Sequence, residues 1–304
     1  MKVARGSAHS YRLWAPAKVN LLLRVVGRRE DGYHLLESVV VPISVFDRVT
    51  VRLNQTQNVT VRLAATHLCT AVPAGPENVA FAAARKFFAA LSAKSGPCPS
   101  GADIEIEKYI PVGAGLGGGS SDAAAVLLAI NSLLGSPLRP DDLHAVAAEV
   151  GADVPCLLFG GPTRVTGIGE VVCPIDIPQP MYLVVCHDGK PLLTRDVFRC
   201  WDASLTPQNE LSTMQRSAGR ARWSGGLLHN DLERAAMLLR PEIRGMKEKL
   251  QELGVIQSAM SGSGSAVFGI CATMEEARRV ATALRNAGYW AEAARMLQSA
   301  WAPR

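Results

Sequence analysis

Residues 110–130 read IPVGAGLGGGSSDAAAVLLAI, with five glycines and two serines set between an apolar strand end and a run of alanine and leucine. The stretch that leads in, ADIEIEKYI (102–110), alternates Ile104 and Ile106 with Asp103, Glu105 and Glu107, the period-two pattern of a half-buried strand. The stretch that leads out is helix-forming up to Gly135-Ser136-Pro137, and the spacing predicts a helix start at Ser120 or Ser121. A strand passed into a helix through a loop with few Cβ atoms lets a ligand approach backbone N–H groups closely. The unpaired amides and positive dipole end of the helix point at the same spot. An anion suits that spot, and phosphate above all.

Two familiar phosphate loops do not fit. A Walker A loop continues from its last glycine into Lys-Ser/Thr, whereas Gly113-x4-Gly118 is followed by Gly119 and Ser120. Gly113-Ala114-Gly115-Leu116-Gly117-Gly118 satisfies GxGxxG, but a dinucleotide fold needs a second parallel strand ending in an acidic residue about 20 positions further on. Here the helix leads through GSPLRP into another helix, PDDLHAVAAEV, opened by Pro140-Asp141 and closed by Gly151. Asp141 and Asp142 therefore read as helix-start residues. Glycines that serve only tight turning or packing are the purely structural alternative.

Around this centre the chain is β-rich in front and mixed behind. KVNLLLRVV, between Pro16 and Gly27, predicts a strand over 14–26, with Lys18 and Asn20 on one face. Asp31-Gly32 marks a turn, and LLESVVVPISV, DRVTVRL and NVTVRL read as further strands. Val79, Ala83, Phe87 and Leu91 fall at helical spacing within 77–95, with Asn78 as N-cap and Gly96-Pro97 as the stop. Beyond Gly160-Gly161, strands near 182–186 and 267–270 flank helices near 229–239, 241–253 and 274–287. We place a domain boundary there, giving units 1–160 and 161–304. Residues 207–226 read as a long connection.

Composition narrows the function classes. With 304 residues, 48% of them hydrophobic, the chain can bury a sizeable core. The apolar run Ala123 to Ile130 falls far short of the roughly 18 residues of a membrane span, and the first dozen residues lack a signal-like apolar region. Seven cysteines are odd in number and scattered without CxxC, which suits free thiols in a reducing, cytoplasmic setting. Six histidines show no HExxH or HxxxH spacing, so no metal site is read from local sequence and any metal arrives with a ligand. The net charge of +5 is modest, and Arg216, Arg220 and Arg222 sit in a polar segment that reads as a solvated loop. The expected partner is a small molecule, with no nucleic acid and no membrane, for a monomer or homodimer.

The pattern Pro111-x3-Gly115-Leu116-Gly117-Gly118-Gly119-Ser120-Ser121-Asp122 resembles the nucleotide loop of the GHMP kinases. PAKVNL (16–21) resembles that family's first motif and MSGSGSAVFG (260–269) its third, in matching order from about residue 13 to residue 290. The resemblance implies an α+β, two-domain GHMP kinase fold, with an N-terminal β-rich nucleotide-binding domain and a C-terminal α/β sandwich domain. It also implies phosphorylation of a small-molecule alcohol by ATP, with Mg²⁺ carried on the ATP. APAKVNLLLRVVGRREDGYHLLESV, GADVPCLLFGG and GGGSSDAAA resemble the branch whose acceptor carries a cytidine diphosphate group and serves non-mevalonate isoprenoid synthesis. A homoserine or mevalonate type of kinase is the alternative within the family. A dinucleotide-dependent oxidoreductase accounts for GxGxxG alone, and a non-catalytic relative leaves Lys18 and Asp153 unexplained.

By the same resemblance, Pro111, Val112, Gly113, Ala114, Gly115, Leu116, Gly117, Gly118, Gly119, Ser120 and Ser121 wrap the ATP phosphates, and the two serine hydroxyls touch phosphate or Mg²⁺. Read alone, either serine is also an N-cap candidate. Asp153 by itself reads as a turn or cap residue; the resemblance makes it the base that takes the acceptor's proton, with Lys18 beside it. A lysine on an otherwise buried strand needs such a carboxylate to stay charged. Tyr33 and His34 are placed by resemblance at the cytosine, Phe198 on its other side with Thr194 nearby, and Asn20 at the acceptor's hydroxyls. DGKPLLTRDVF departs from the family's usual Ser/Thr-Pro stretch, and Phe198 reads equally as core packing. Gly167 and Gly169 in TGIGE read as a hairpin turn, Gly262 and Gly264 as a turn backing the phosphate loop, and Asn230-Asp231 as a helix cap.

Overall fold

The computed structural model describes residues 10–64, 72–73, 75–96, 101–204 and 226–301; the long connection expected over 207–226 lies outside the described residues except for Gly226. Two long strands, β1 (Ser10–Arg28) and β2 (His34–Asn54), form an antiparallel hairpin. The several strands read between 35 and 53 are one. Register shifts at Pro16/Ala17, Asn20/Leu22 and Val25/Gly27 let the pair bend without ending, as β-bulges do.

β3 (Val59–Ala64) runs parallel to β4 (Gly101–Glu107), and β4 pairs with β2. The first sheet has the order β3-β4-β2-β1-β8, where β8 is His229–Asn230; β5 (Thr163–Gly167) pairs with β2, and β6 (Val171–Pro174) with β5. It thus takes strands from both sides of residue 160. On it lie α1 (Val79–Ser95), α2 (Gly118–Leu133) and α4 (Val154–Phe159), with α3 (Pro140–Val150) packed on these helices. Asn78 caps α1 as expected, accepting the Ala80 N–H at 2.9 Å. Every residue of α2 from Ser121 to Leu127 is buried, so its sequence is apolar all round instead of striped. The run VPCLLF, read only as apolar, is the short helix α4.

The second sheet has the order β11 (Trp290–Arg295), β7 (Tyr182–His187), β10 (Val267–Cys271), β9 (Gln257–Met260), all antiparallel. Strand alternation divides its side chains between two cores. Val184, Cys186 and Val267 pack among residues of α7 (Glu242–Glu252) and α8 (Met274–Asn286), including Met246, Val280 and Leu284. Leu183, Val185 and Phe268 pack against Val19, Leu21, Val41 and Ile43 of the first sheet. Being covered on both faces explains the unbroken apolar run LVVC in β7. α5 (Thr194–Ser204) and α6 (Glu233–Leu239) complete the α+β architecture expected from the sequence. Among the described residues no helix is long and apolar enough to cross a membrane.

Candidate active site

The glycine loop leaves β4 and enters α2 at Gly118, two to three residues earlier than the sequence suggested. Gly117, in the left-handed region at φ +69°, is the N-cap and has no side chain to cap the helix. Ser120 and Ser121 therefore lie within the first turn, and neither is the cap. Two neighbours dictate glycine here. A Cβ on Gly115 would meet the Ser261 carbonyl oxygen at 2.1 Å, and one on Gly117 would meet Lys18 Cγ at 2.9 Å. Four successive carbonyls of the loop are turned into the protein. Gly113 O accepts from Leu192 N (3.2 Å), Ala114 O from Ala266 N (2.9 Å), Gly115 O from Ser261 Oγ (2.9 Å) and Leu116 O from Lys18 N (2.9 Å). Pro111, Ala114 and Leu116 bury their side chains, so what the loop presents outward is backbone, ending at uncapped helix amides.

A cleft of about 1010 Å³ opens over this loop, and Lys18, Asn20, Tyr33, His34, Gly113, Gly115, Ser120, Asp153, Thr194 and Phe198 all line it. Pro111, Val112, Ala114, Leu116, Gly117, Gly118, Gly119 and Ser121 are not on its lining. Ser121 is fully buried, and its Oγ has no hydrogen-bond partner. The glycines of TGIGE do form the β5–β6 turn, with Gly167 and Gly169 at positive φ, and residues 168–170 also reach the cleft.

At the centre Lys18 Nζ lies 3.4 Å from Asp153 Oδ2 and donates to Asn20 Oδ1 at 2.8 Å. Asn20 Nδ2 donates to Ser38 Oγ (2.8 Å), which donates to Leu22 O (2.6 Å). The lysine side chain is 3% exposed and the aspartate 42%, so the cation is held from below while the carboxylate faces the cleft. Asn20 acts on Lys18 here. Asp153 sits at the N-terminal end of α4; burial first, and then the Asp153 charge, push the neighbouring Cys156 thiol far up, leaving it an inert core residue.

At the far end, His34 stacks on Phe198 with centroids 4.6 Å apart and 19° between planes, and meets the Trp201 edge at 5.6 Å and 88°. Phe198 is thus part of the cleft wall. Tyr33 stands at the rim, 61% exposed. Thr194 Oγ1 shares a 2.8 Å hydrogen bond with Ser263 Oγ of the third glycine motif, and Gly262 and Gly264 line the cleft as that motif's turn.

Sequence reasoning missed three features. Asp202 accepts from His34 Nε2 at 2.8 Å; its signal was its place one helical turn after Phe198. Asn230, read as a cap, does accept from Leu232 N at 3.0 Å, but its Nδ2 also donates to Met260 O and Gly262 O, both at 2.8 Å. Behind the loop lies a buried Asp47–Lys108–Asp122 cluster. Asp47 accepts the Tyr109 and Ile110 amides (2.6 and 2.9 Å) and pairs with Lys108, which also donates to Asp122 at 2.7 Å. Burial pushes the Asp122 carboxyl up to about 8. Burial also works to lower the Lys108 ammonium, but the Asp122 and Asp47 charges outweigh it and raise it. Among the described residues no group of three or more His, Cys, Asp or Glu is arranged to hold a metal ion.

Comparison with known proteins gives the family. Residues 62–161 match the model for the GHMP kinases N terminal domain, and 208–289 that for GHMP kinases C terminal. A 4-diphosphocytidyl-2-C-methyl-D-erythritol kinase from Geobacter metallireducens is 42% identical over 92% of this chain and 96% of its own length. One from Desulfitobacterium hafniense is 40% identical over 91% and 92%. A crystal structure of 4-(cytidine 5'-diphospho)-2C-methyl-D-erythritol kinase superposes with TM-score 0.74 at 36% identity, covering 94% of this chain and 98% of that one. A homoserine kinase from Cytophaga hutchinsonii shares the fold, with TM-score 0.70 at 20% identity over 100% and 99% of the two chains. The chain is a small-molecule kinase of the GHMP family and belongs to its 4-diphosphocytidyl-2-C-methyl-D-erythritol kinase branch.

Proposed function

We propose that the chain transfers the γ-phosphate of ATP to the C2 hydroxyl of 4-diphosphocytidyl-2-C-methyl-D-erythritol, giving the 2-phosphate and ADP for isoprenoid precursor synthesis in the cytoplasm. The observation that carries this reading is the Lys18–Asp153 pair, 3.4 Å apart, in one cleft with a phosphate-type loop on one side and an aromatic wall on the other.

Phosphoryl transfer asks the protein mainly to place donor and acceptor in line and to neutralise charge. The loop 111–121 holds the ATP phosphates through backbone N–H groups and the first turn of α2. When bound with ATP, Mg²⁺ supplies charge neutralisation on those phosphates. Ser120, which lines the cleft, is the loop hydroxyl that would hold it. Asp153 accepts the proton of the attacking hydroxyl. Lys18, fixed by Asn20 and Ser38, aims that carboxylate and offsets charge on the transferred group. His34, Tyr33 and Phe198 hold the cytosine, with Thr194 beside them.

ADP release with ATP and each of three acceptors tests the reading. The cytidine diphosphate acceptor should support turnover, with homoserine and mevalonate inert. Turnover with either of these and none with the cytidine compound contradicts it.

A further inference from the structure

The base end of the cleft contains a carboxylate that the proposed reaction does not use. Asp202 lies on α5 with Phe198 and Trp201, at i, i+3 and i+4, so all three share one face of the helix. That face is set against His34. Phe198 stacks on the imidazole, Trp201 meets it edge-on, and Asp202 Oδ1 lies 2.8 Å from Nε2. The second carboxylate oxygen faces Arg28 Nη1 at 3.5 Å. The other end of α5 is tied to the third glycine motif through Thr194 and Ser263. The His34 ring is therefore held in plane by one aromatic, in rotation by another, and in polarity by an acid.

A neutral imidazole carries one donor and one acceptor nitrogen, and a carboxylate can only accept. The partner of one ring nitrogen decides the state of the other. In the neutral ring, with Nε2–H given to Asp202, Nδ1 keeps its lone pair, and Nδ1 has no hydrogen-bond partner among the described residues. Cytosine carries an exocyclic amino donor where uracil carries a carbonyl oxygen. A fixed Nδ1 lone pair satisfies the first and opposes the second, and a site built around such a polar contact rejects the analogue that cannot make it.

We propose that Asp202 is a specificity-determining positioning residue: it keeps the His34 proton on Nε2, so that the ring accepts from the amino group of an aminopyrimidine acceptor and disfavours its keto counterpart. This rests on the cytidine diphosphate acceptor proposed above, and the two can fail separately.

The test is competition by CMP and by UMP against that acceptor, read as ADP release at saturating ATP, in the wild type, Asp202→Asn and Asp202→Ala. The side chain is 30% exposed, so neither substitution disturbs a core. The wild type should be inhibited by CMP at roughly tenfold lower concentration than by UMP. Asn can donate as well as accept and so admits the other tautomer, and Ala imposes neither; both variants should bring the CMP/UMP ratio to about twofold or less. A merely structural role for Asp202 would weaken both nucleotides and leave the ratio intact. An undiminished ratio in the variants, or equal inhibition by the two nucleotides in the wild type, overturns the inference and leaves the acceptor assignment standing. Inhibition of the wild type by neither nucleotide removes the acceptor assignment and this inference with it.

Discussion

A lysine side chain left 3% exposed between strands is stabilising only if opposite charge and hydrogen bonds stay with it, and removing one partner of an ion pair costs most when the charge left behind is buried, which Asp153, 42% exposed, is not. Lys18 therefore separates function from folding. Lys18→Met should lower kcat by about 100-fold or more while leaving the melting temperature within a few degrees of the wild type, measured by turnover and thermal unfolding on one preparation. Parallel collapse of stability and activity would make Lys18 a structural ion. Gly117 gives a second prediction at this scale. Its φ of +69° and the 2.9 Å approach of Lys18 Cγ to a Cβ make Gly117→Ala cost about 1–2 kcal/mol from the backbone alone, with turnover falling as Lys18 is displaced. Lys18 was legible in the sequence because a cation interrupts an apolar strand. Asp153 was not: as a residue after a helix-ending glycine it looks like any turn aspartate, and only the resemblance to a family singled it out.

At the scale of elements, the loop is fastened from behind by Asp47, Lys108 and Asp122, which join β2, the end of β4 and the first turn of α2. Burial raises the Asp122 carboxyl from 3.8 to about 8. A carboxyl raised on folding favours the native state in its protonated form, so its contribution is fully present below about pH 4 and is lost as pH rises through about 8. The wild-type melting temperature should therefore fall between pH 6 and pH 9. Asp122→Asn, which mimics the protonated group, should flatten that fall; an unchanged slope in the variant would place the pH dependence elsewhere. Elements with strong periodicity or strong punctuation were readable, such as α1 between Asn78 and Gly96. Those that failed did so for identifiable reasons. The start of α2 was placed late because glycines are poor helix formers, yet Gly118 and Gly119 are helical behind a left-handed Gly117. α5 was not read as a helix because TRDVFRCWDAS is largely polar and buries only Val197.

Over the whole molecule, the α+β class and the three family motifs could be read from the chain, but not the way the two sheets stack. β7 alternates its side chains between two different cores, and an apolar run carries no label saying which neighbour each face meets. β11, WAEAAR, is rich in helix formers and becomes a strand only by pairing with β7. The stacking matters because it brings residues from 18 to 264 onto one cleft, so ligands that bind there bridge elements distant in sequence. Saturating ATP and acceptor analogues together should raise the melting temperature by several degrees, about 2.7 kcal/mol at 100 times Kd for each site. The most direct measurement is turnover of Asp153→Asn alongside its ATP affinity. If Asp153 takes the acceptor's proton beside Lys18, kcat falls by orders of magnitude while the Kd for ATP stays within about twofold; near-normal kcat in that variant would contradict the assignment of the chemistry to this pair.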